Sequence, residues 1–281
     1  MEKGNCYIFD PESPTELGRL IDQDRVVTQA MGGPLVGIDD STSLHNILDL
    51  GCGPGSWVLD VAFALAAEVE GVDISRSMVD YANARARTQK LLNASFGVMD
   101  ITQPLDFPDA SFDLVNARFL AGVLKREIWA TFLDECDRIL RPGGFLRLTE
   151  AVDFGATTSE VANQLGALTL HALYQLGYGF SPDHALGIPP MLLSFFRQQQ
   201  YRQMAVSAHA LDYSSSTEAW ADMYHNVEVA GVQMKPTLMQ LGLINEELFE
   251  LLYQQTLSAM RSQSFCGLWH LTTIVGQKPV R

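Results

Sequence analysis

"NILDLGCGPGSW", residues 46–57, sets five strand-forming residues against a turn with glycines at 51, 53 and 55. An apolar run this short that ends in glycine is too brief for a helix and reads as a strand. The spacing of Val58, Val61, Ala62 and Leu65 predicts a helix over 56–67. A glycine-rich turn between a first strand and a helix lets the backbone come close to a ligand, at the strand ends where open α/β sheets bind. Neither phosphate-binding template is met. G-x-G-x-x-G needs its third glycine where Ser56 stands, and no Gly-Lys-Ser or Gly-Lys-Thr follows. What remains is D-x-G-x-G-x-G beginning at Asp49, a carboxylate beside open backbone with no basic group, which suits a ligand with a cationic end.

Outward from this turn, "VEGVDI" (69–74), "ASFGVMD" (94–100), "FDLVNA" (112–117) and "FLRLTEAV" (145–152) read as strands, with helices over 75–89 and 126–140 between them. Such alternation builds a parallel sheet with helices on both faces. Past residue 152 come two helical stretches, 159–176 and 188–199, and then the closing strands "YRQMAVSAHAL" (201–211) and "LWHLTTIVGQKP" (268–279). The expected fold is α/β: a Rossmann-like, seven-stranded, mostly parallel sheet with a helical insertion after the fifth strand. Residues 1–45 are expected to form an N-terminal helical cap. Residues 46–281 form the main domain, with a helical lid insertion at about 152–199.

A formal charge of −14 over 281 residues opposes nucleic-acid binding, which depends on clustered Lys and Arg. Hydrophobic residues make up 47% of the chain, enough for a large core. Cys6, Cys52, Cys136 and Cys266 are scattered, with no CxxC pair, so neither a zinc site nor a disulfide framework is expected, and no metal. "VLDVAFALAAEV" (58–69) is broken by Asp60 and too charged to span a bilayer, and the N-terminus lacks a secretory core. A soluble cytoplasmic protein with no membrane partner is expected.

Five motifs in order, "ILDLGCGPGSW", "EGVDIS", "GVMDI", "FDLVNARF" and "LRPGGFLRL", resemble the class I S-adenosylmethionine-dependent methyltransferases. The resemblance implies S-adenosylmethionine as cofactor and S-adenosylhomocysteine as product. It implies a loop of Asp49, Gly51, Cys52, Gly53 and Gly55, with Asp73 accepting the ribose hydroxyls. Asp100 would accept from the adenine amino group, Ile101 would lend its amide to the ring, and Ile74 and Met78 would pack its faces. The backbone of Asn116 would meet the methionine amino group. In the cap, Tyr7, Gln23, Arg25 and Thr28 are candidates to line the site, with Arg25 placed to meet the cofactor's carboxylate.

Between Phe154 and Phe196 only Glu160 and Asp183 are charged, as expected of a lid over an apolar compound or of a subunit interface, so a homo-oligomer through cap or insertion is one expectation. Val161, Leu165, Leu168, Ala172 and Leu176 have the spacing of a buried helix face. Tyr174, Tyr178, Phe180 and His184 are the acceptor-site candidates. His171, His209 and His225 are the candidate bases, with Asp153 as a possible carboxylate, and Arg118 is placed to orient an acceptor oxygen. The expected activity is methyl transfer to O, N or C of a small, largely apolar acceptor, of the kind found in secondary metabolism. The alternative uses the bound cofactor for rearrangement or cyclisation. A nicotinamide-dependent dehydrogenase is disfavoured by Ser56 and Asp49.

Overall fold

The cap helix α1 (Pro14–Met31) ends where Gly32 enters the left-handed region at φ 86°, a conformation open to glycine at little cost. Strand and helix then alternate: β1 (Asn46–Leu50), α2 (Ser56–Ala64), β2 (Glu68–Asp73), α3 (Arg76–Gln89), β3 (Ala94–Val98), β4 (Phe112–Arg118), α4 (Trp129–Ile139) and β5 (Leu140–Ala151). These assignments come from a computed structural model that describes residues 8–182 and 185–280. Ile47, Leu48 and Leu50 are fully buried, as a central parallel strand covered on both faces requires. Strand β5 begins earlier than the sequence pattern suggests and carries "RPGG" within it, with a register shift against β4 between Phe112 and Leu114.

After β5 come β6 (Ala156–Thr157), α5 (Glu160–Gln175), α6 (Ile188–Gln198), β7 (Arg202–Asp212), α7 (Trp220–Gln240), α8 (Glu246–Met260) and β8 (Gly267–Gln277). The sheet runs β3-β2-β1-β4-β5-β8-β6, and β7 pairs with β8. Pairs among the first five strands are parallel, and β8 is antiparallel to β5, β6 and β7. Eight strands stand where seven were expected, because β6 contributes two residues, too few for alternation to mark.

The helical layer over the strand tips comes from two separate stretches of sequence. Helix α5 follows β5, whereas α7 and α8 lie between β7 and β8, and the three share a core of Leu165, Met234, Phe249, Leu252 and Leu257. Helix α1 packs on α7. Helix α6 belongs to the sheet instead: Phe196 is fully buried and stands where a side chain on Gly276 of β8 would have to be. Among the described residues no helix is long and apolar enough to cross a membrane.

Candidate active site

Strand order reverses between β1 and β4, the place where a doubly wound sheet leaves a crevice at its carboxyl ends. The glycine turn wraps the tip of β2: the amides of Gly51 and Cys52 both donate to the Val72 carbonyl at 2.9 Å. Gly51, Gly53 and Gly55 have φ of 71°, 51° and 80°. Gly51 and Gly53 line the resulting cleft, together with Asp49, Cys52, Asp73, Ile74, Met78, Asp100 and Ile101. Gly55 does not. A Cβ there would lie 2.6 Å from Phe96 and 2.7 Å from Ala82, so its smallness seats the turn against the sheet and α3. Asn116 also stays outside the cleft, wholly buried beneath Asp49.

Each strand-tip aspartate has a defined setting. Asp49 accepts from Asn116 Nδ2 at 2.7 Å, and burial pushes its carboxyl up to about 7 against the opposing pull of Arg118. Asp73 accepts from the Gly53 amide at 2.8 Å and the Ser75 amide at 2.9 Å, so it holds the glycine turn and the start of α3 together, and burial raises its pKa. Asp100 takes the Thr102 amide at 2.9 Å and the Thr102 hydroxyl at 2.6 Å through Oδ1. A carboxylate has about four lone-pair sites, so all three retain acceptor capacity. Burial holds the Cys52 thiol well above its usual range, consistent with the small filler read from the sequence.

The cap supplies the outer wall through Pro11, Leu20, Gln23 and Asp24. Ser75 Oγ donates to the Pro11 carbonyl at 3.0 Å, and the Glu12 carboxylate takes the Arg76 amide at 3.1 Å, which docks the cap on the positive end of α3. Among the described residues, Arg118 is the one cationic residue lining the cleft. It is ion-paired with Asp24, and its Nη1 donates to Thr28 at 3.2 Å. Arg25 instead pairs with Asp222 on α7 and keeps 62% of its side chain exposed, away from the cleft. Tyr7 lies outside the described residues. Four aspartates against one paired arginine fit a ligand bearing positive charge and do not fit pyrophosphate.

A second cavity, of about 240 Å³, adjoins this cleft and shares Leu20, Gln23 and Phe119 with it. Its walls are largely apolar and come from α5, α7 and α8 as well as the cap. Phe119 stands in the left-handed region at φ 58°, unusual for a bulky residue. Its ring stacks on Trp269 at 5.4 Å, and the next amide, that of Leu120, is held by Glu150 Oε1 at 2.7 Å. Glu150 is 2% exposed, and burial pushes its carboxyl up to about 8.

The acceptor-site and base candidates read from the sequence lie elsewhere. The face of α5 toward the chamber repeats at Ala162, Gly166, Thr169 and Leu173, which turns His171 and Tyr174 off it. His171 pairs with Gln175 at 2.9 Å, and Tyr174 lies under Arg126 at 4.3 Å. Tyr178 is buried in the main core and Phe180 packs against it. His225 meets Asp22 at 3.0 Å. His209 sits on β7, its pKa lowered by burial and then by Arg147. None of these, nor Asp153, lines either cavity. His184 lies outside the described residues. Among the described residues no cluster of three or more His, Cys, Asp or Glu could hold a metal. Sequence reasoning missed Asp24 and the α7–α8 wall, which carry no local motif because docking of distant segments brings them to the site, and it quoted Phe119 at the end of "FDLVNARF" without giving it a role.

Residues 47–144 match the family described as "Methyltransferase domain". The chain is 34% identical over 124 residues to aklanonic acid methyltransferase DauC of Streptomyces sp. strain C5, an alignment covering 43% of this chain and 55% of that one. The matches span about half or less of the length of such relatives. In fold it is similar to the YcgJ protein of Bacillus, with a TM-score of 0.55 at 19% identity over 89% of this chain and 98% of the other. It is also similar to phosphoethanolamine N-methyltransferase 2 of Haemonchus contortus in complex with S-adenosyl-L-methionine. There the TM-score is 0.51 at 18% identity, over 93% of this chain and 52% of that one.

Proposed function

We propose, for a chain whose residues 47–144 match the methyltransferase domain family, that the strand-tip cleft binds S-adenosylmethionine and the adjoining chamber receives a small, largely apolar methyl acceptor. The observation that carries the reading is the junction itself: an acidic cleft and an apolar chamber meet at Leu20, Gln23 and Phe119. When bound, the cofactor supplies a methyl group whose bond to sulfur breaks, leaving the pair on sulfur, as a lone pair of the acceptor forms the new bond.

The chain's own residues bind, orient and exclude water. Asp73 receives the ribose hydroxyls, Asp100 the adenine amino group and the Ile101 amide the ring, while Ile74 and Met78 pack its faces. Asp49, ionised above about pH 7, faces the cationic amino-acid end. Arg118, held by Asp24, closes the cleft beside it. Alignment of acceptor and methyl across the Phe119 junction, in a site covered by α1, is the main contribution to rate. No histidine is among the described lining residues, so the acceptor's proton passes to solvent. The likeness to DauC supports an acceptor from secondary metabolism. We place the protein in the cytoplasm, with the cap or lid as its surface for self-association.

Calorimetry with S-adenosylhomocysteine and transfer from methyl-labelled cofactor test this reading. Uptake of the product analogue and labelled product are expected. Turnover that consumes the acceptor without releasing S-adenosylhomocysteine would replace transfer by rearrangement.

A further inference from the structure

Among the described residues, Arg19 is the one charged residue lining the acceptor chamber, and it is 5% exposed. Its Nε and Nη2 donate to the two carboxylate oxygens of Glu16 at 2.8 and 2.5 Å, and Glu16 also takes Gln233 Nε2 at 2.8 Å. The remaining nitrogen, Nη1, donates to Gln23 Oε1 at 2.7 Å and to Asn226 Oδ1 at 2.6 Å. A guanidinium has donors and no acceptor, so this contact fixes how both amides point. Each must give Arg19 its oxygen and turn its NH2 group away. Among the described residues neither NH2 group has a partner in any hydrogen bond. Gln23 lines both cavities and is 9% exposed, and Asn226 lines the chamber.

Amide donors that line a cavity without a partner are open to a ligand, and donors set in an apolar wall hold an oxygen whose charge grows. We propose that Gln23 and Asn226, oriented by Arg19, bind an oxygen of the acceptor, which is therefore a phenol or an enolisable ketone on an otherwise apolar frame. This rests on the chamber being the acceptor site. Because Glu16 neutralises Arg19, the described residues of the wall carry no net charge to capture a carboxylate or diphosphate. Its N–H donors favour the phenolate or enolate over the neutral form, so the acceptor sheds its proton to solvent more readily in the site than in water. Gln23 also reaches the cofactor cleft, which puts this oxygen at the junction where transfer takes place.

The test uses 4-nitro-1-naphthol, an apolar two-ring phenol whose absorption reports its ionisation, titrated with the full chain and S-adenosylhomocysteine. On binding, the dye's ionisation midpoint is expected to fall by about one pH unit, the size of effect that hydrogen bonding to a charged form produces. Asn226→Asp and Gln23→Glu keep an oxygen for Arg19 and remove the donors. Each is expected to abolish the shift and weaken phenolate binding by about tenfold or more, and Asn226→Asp should leave S-adenosylhomocysteine affinity unchanged. A wild-type dye bound with an unmoved midpoint, or no dye uptake by protein that binds S-adenosylhomocysteine, overturns the proposal without any variant. Failure to bind S-adenosylhomocysteine sinks the cofactor reading instead, and the dye titration repeated without it still decides this one.

Discussion

Asn116 donates from Nδ2 to Asp49 Oδ1 across 2.7 Å, while its own oxygen takes Arg147 Nη1 at 2.6 Å, so one amide joins a carboxylate at the cleft to a buried guanidinium. The register of β1 and β4, which sets Asp49 opposite Asn116, makes this contact unavoidable. Asp49 stands near 7 because burial outweighs its partners, and Arg147 is lowered to about 9 by burial and then by Arg118. Asn116→Ala removes one stabilising donor, so the Asp49 midpoint rises further. S-adenosylhomocysteine affinity should strengthen as pH rises through about 7 in the wild type, and through a higher pH in the variant. Calorimetry across pH 5.5–9 checks this, and a pH-independent affinity would remove Asp49 from the ligand contact.

Asp73 holds both the glycine turn and the start of α3, so its loss strikes ligand and loop together. Asp73→Ala should weaken S-adenosylhomocysteine binding by about 1.5–3 kcal/mol, the range for a hydrogen bond to a charged group. Asp73→Asn keeps an oxygen for one amide and should lose less. Equal affinity in all three proteins would count against the ribose contact.

Glu150 gives a stability prediction with a definite sign. Its folded pKa, about 8, stands above the ordinary value of 4.5. The folded chain therefore holds a proton that the unfolded chain gives up. The stability this confers is complete below about 4.5 and lost as pH climbs through about 8, at about 1.4 kcal/mol per unit of displacement. Glu150→Gln mimics the neutral acid and keeps the oxygen for the Leu120 amide. Its melting temperature should match the wild type near pH 5 and exceed it at pH 9.

Gly55 has φ 80° and no room for a side chain, with Phe96 at 2.6 Å from a Cβ placed there. Gly55→Ala combines backbone strain with overpacking and should cost about 2–4 kcal/mol, read from urea unfolding. A loss below about 1 kcal/mol would show that the turn can reseat.

Gly166 presents the opposite case. It lies inside α5 on the chamber wall, and a Cβ there would meet nothing within 4 Å. Gly166→Ala should raise stability by about 0.5–1 kcal/mol from helix propensity alone. Gly166→Phe should fill the chamber, abolishing acceptor binding while S-adenosylhomocysteine affinity holds. Acceptor binding that survives the phenylalanine would place the acceptor elsewhere.

The core of the fold and most of the lining of the strand-tip cleft were legible in the residues. Short apolar runs leading to Asp49, Asp73 and Asp100, with the glycine turn after the first, carry their meaning in local spacing. Gly55 had a local signature too, yet its service is to packing. Asn116 was singled out for its backbone, and its buried side chain is what bridges Asp49 and Arg147. The apolar chamber left almost no local trace. His171 and Tyr174 are chemically suggestive, but the helical repeat of α5 carries them off the chamber face. Arg25 was read toward the cofactor's carboxylate and Arg118 toward an acceptor oxygen; Arg118 lines the cleft from the end of β4, whereas the docking of α1 on α7 puts Arg25 on Asp222.

By itself the sequence determined the order of elements, the acidic and glycine-rich strand tips and therefore the kind of ligand they can hold, because strand period and turn conformation depend on neighbours in the chain. Tertiary structure alone decided which helices roof the apolar chamber and that Arg19 meets Asn226. The Arg19–Asn226 contact joins residues 207 positions apart, and no local pattern encodes the packing that brings them together.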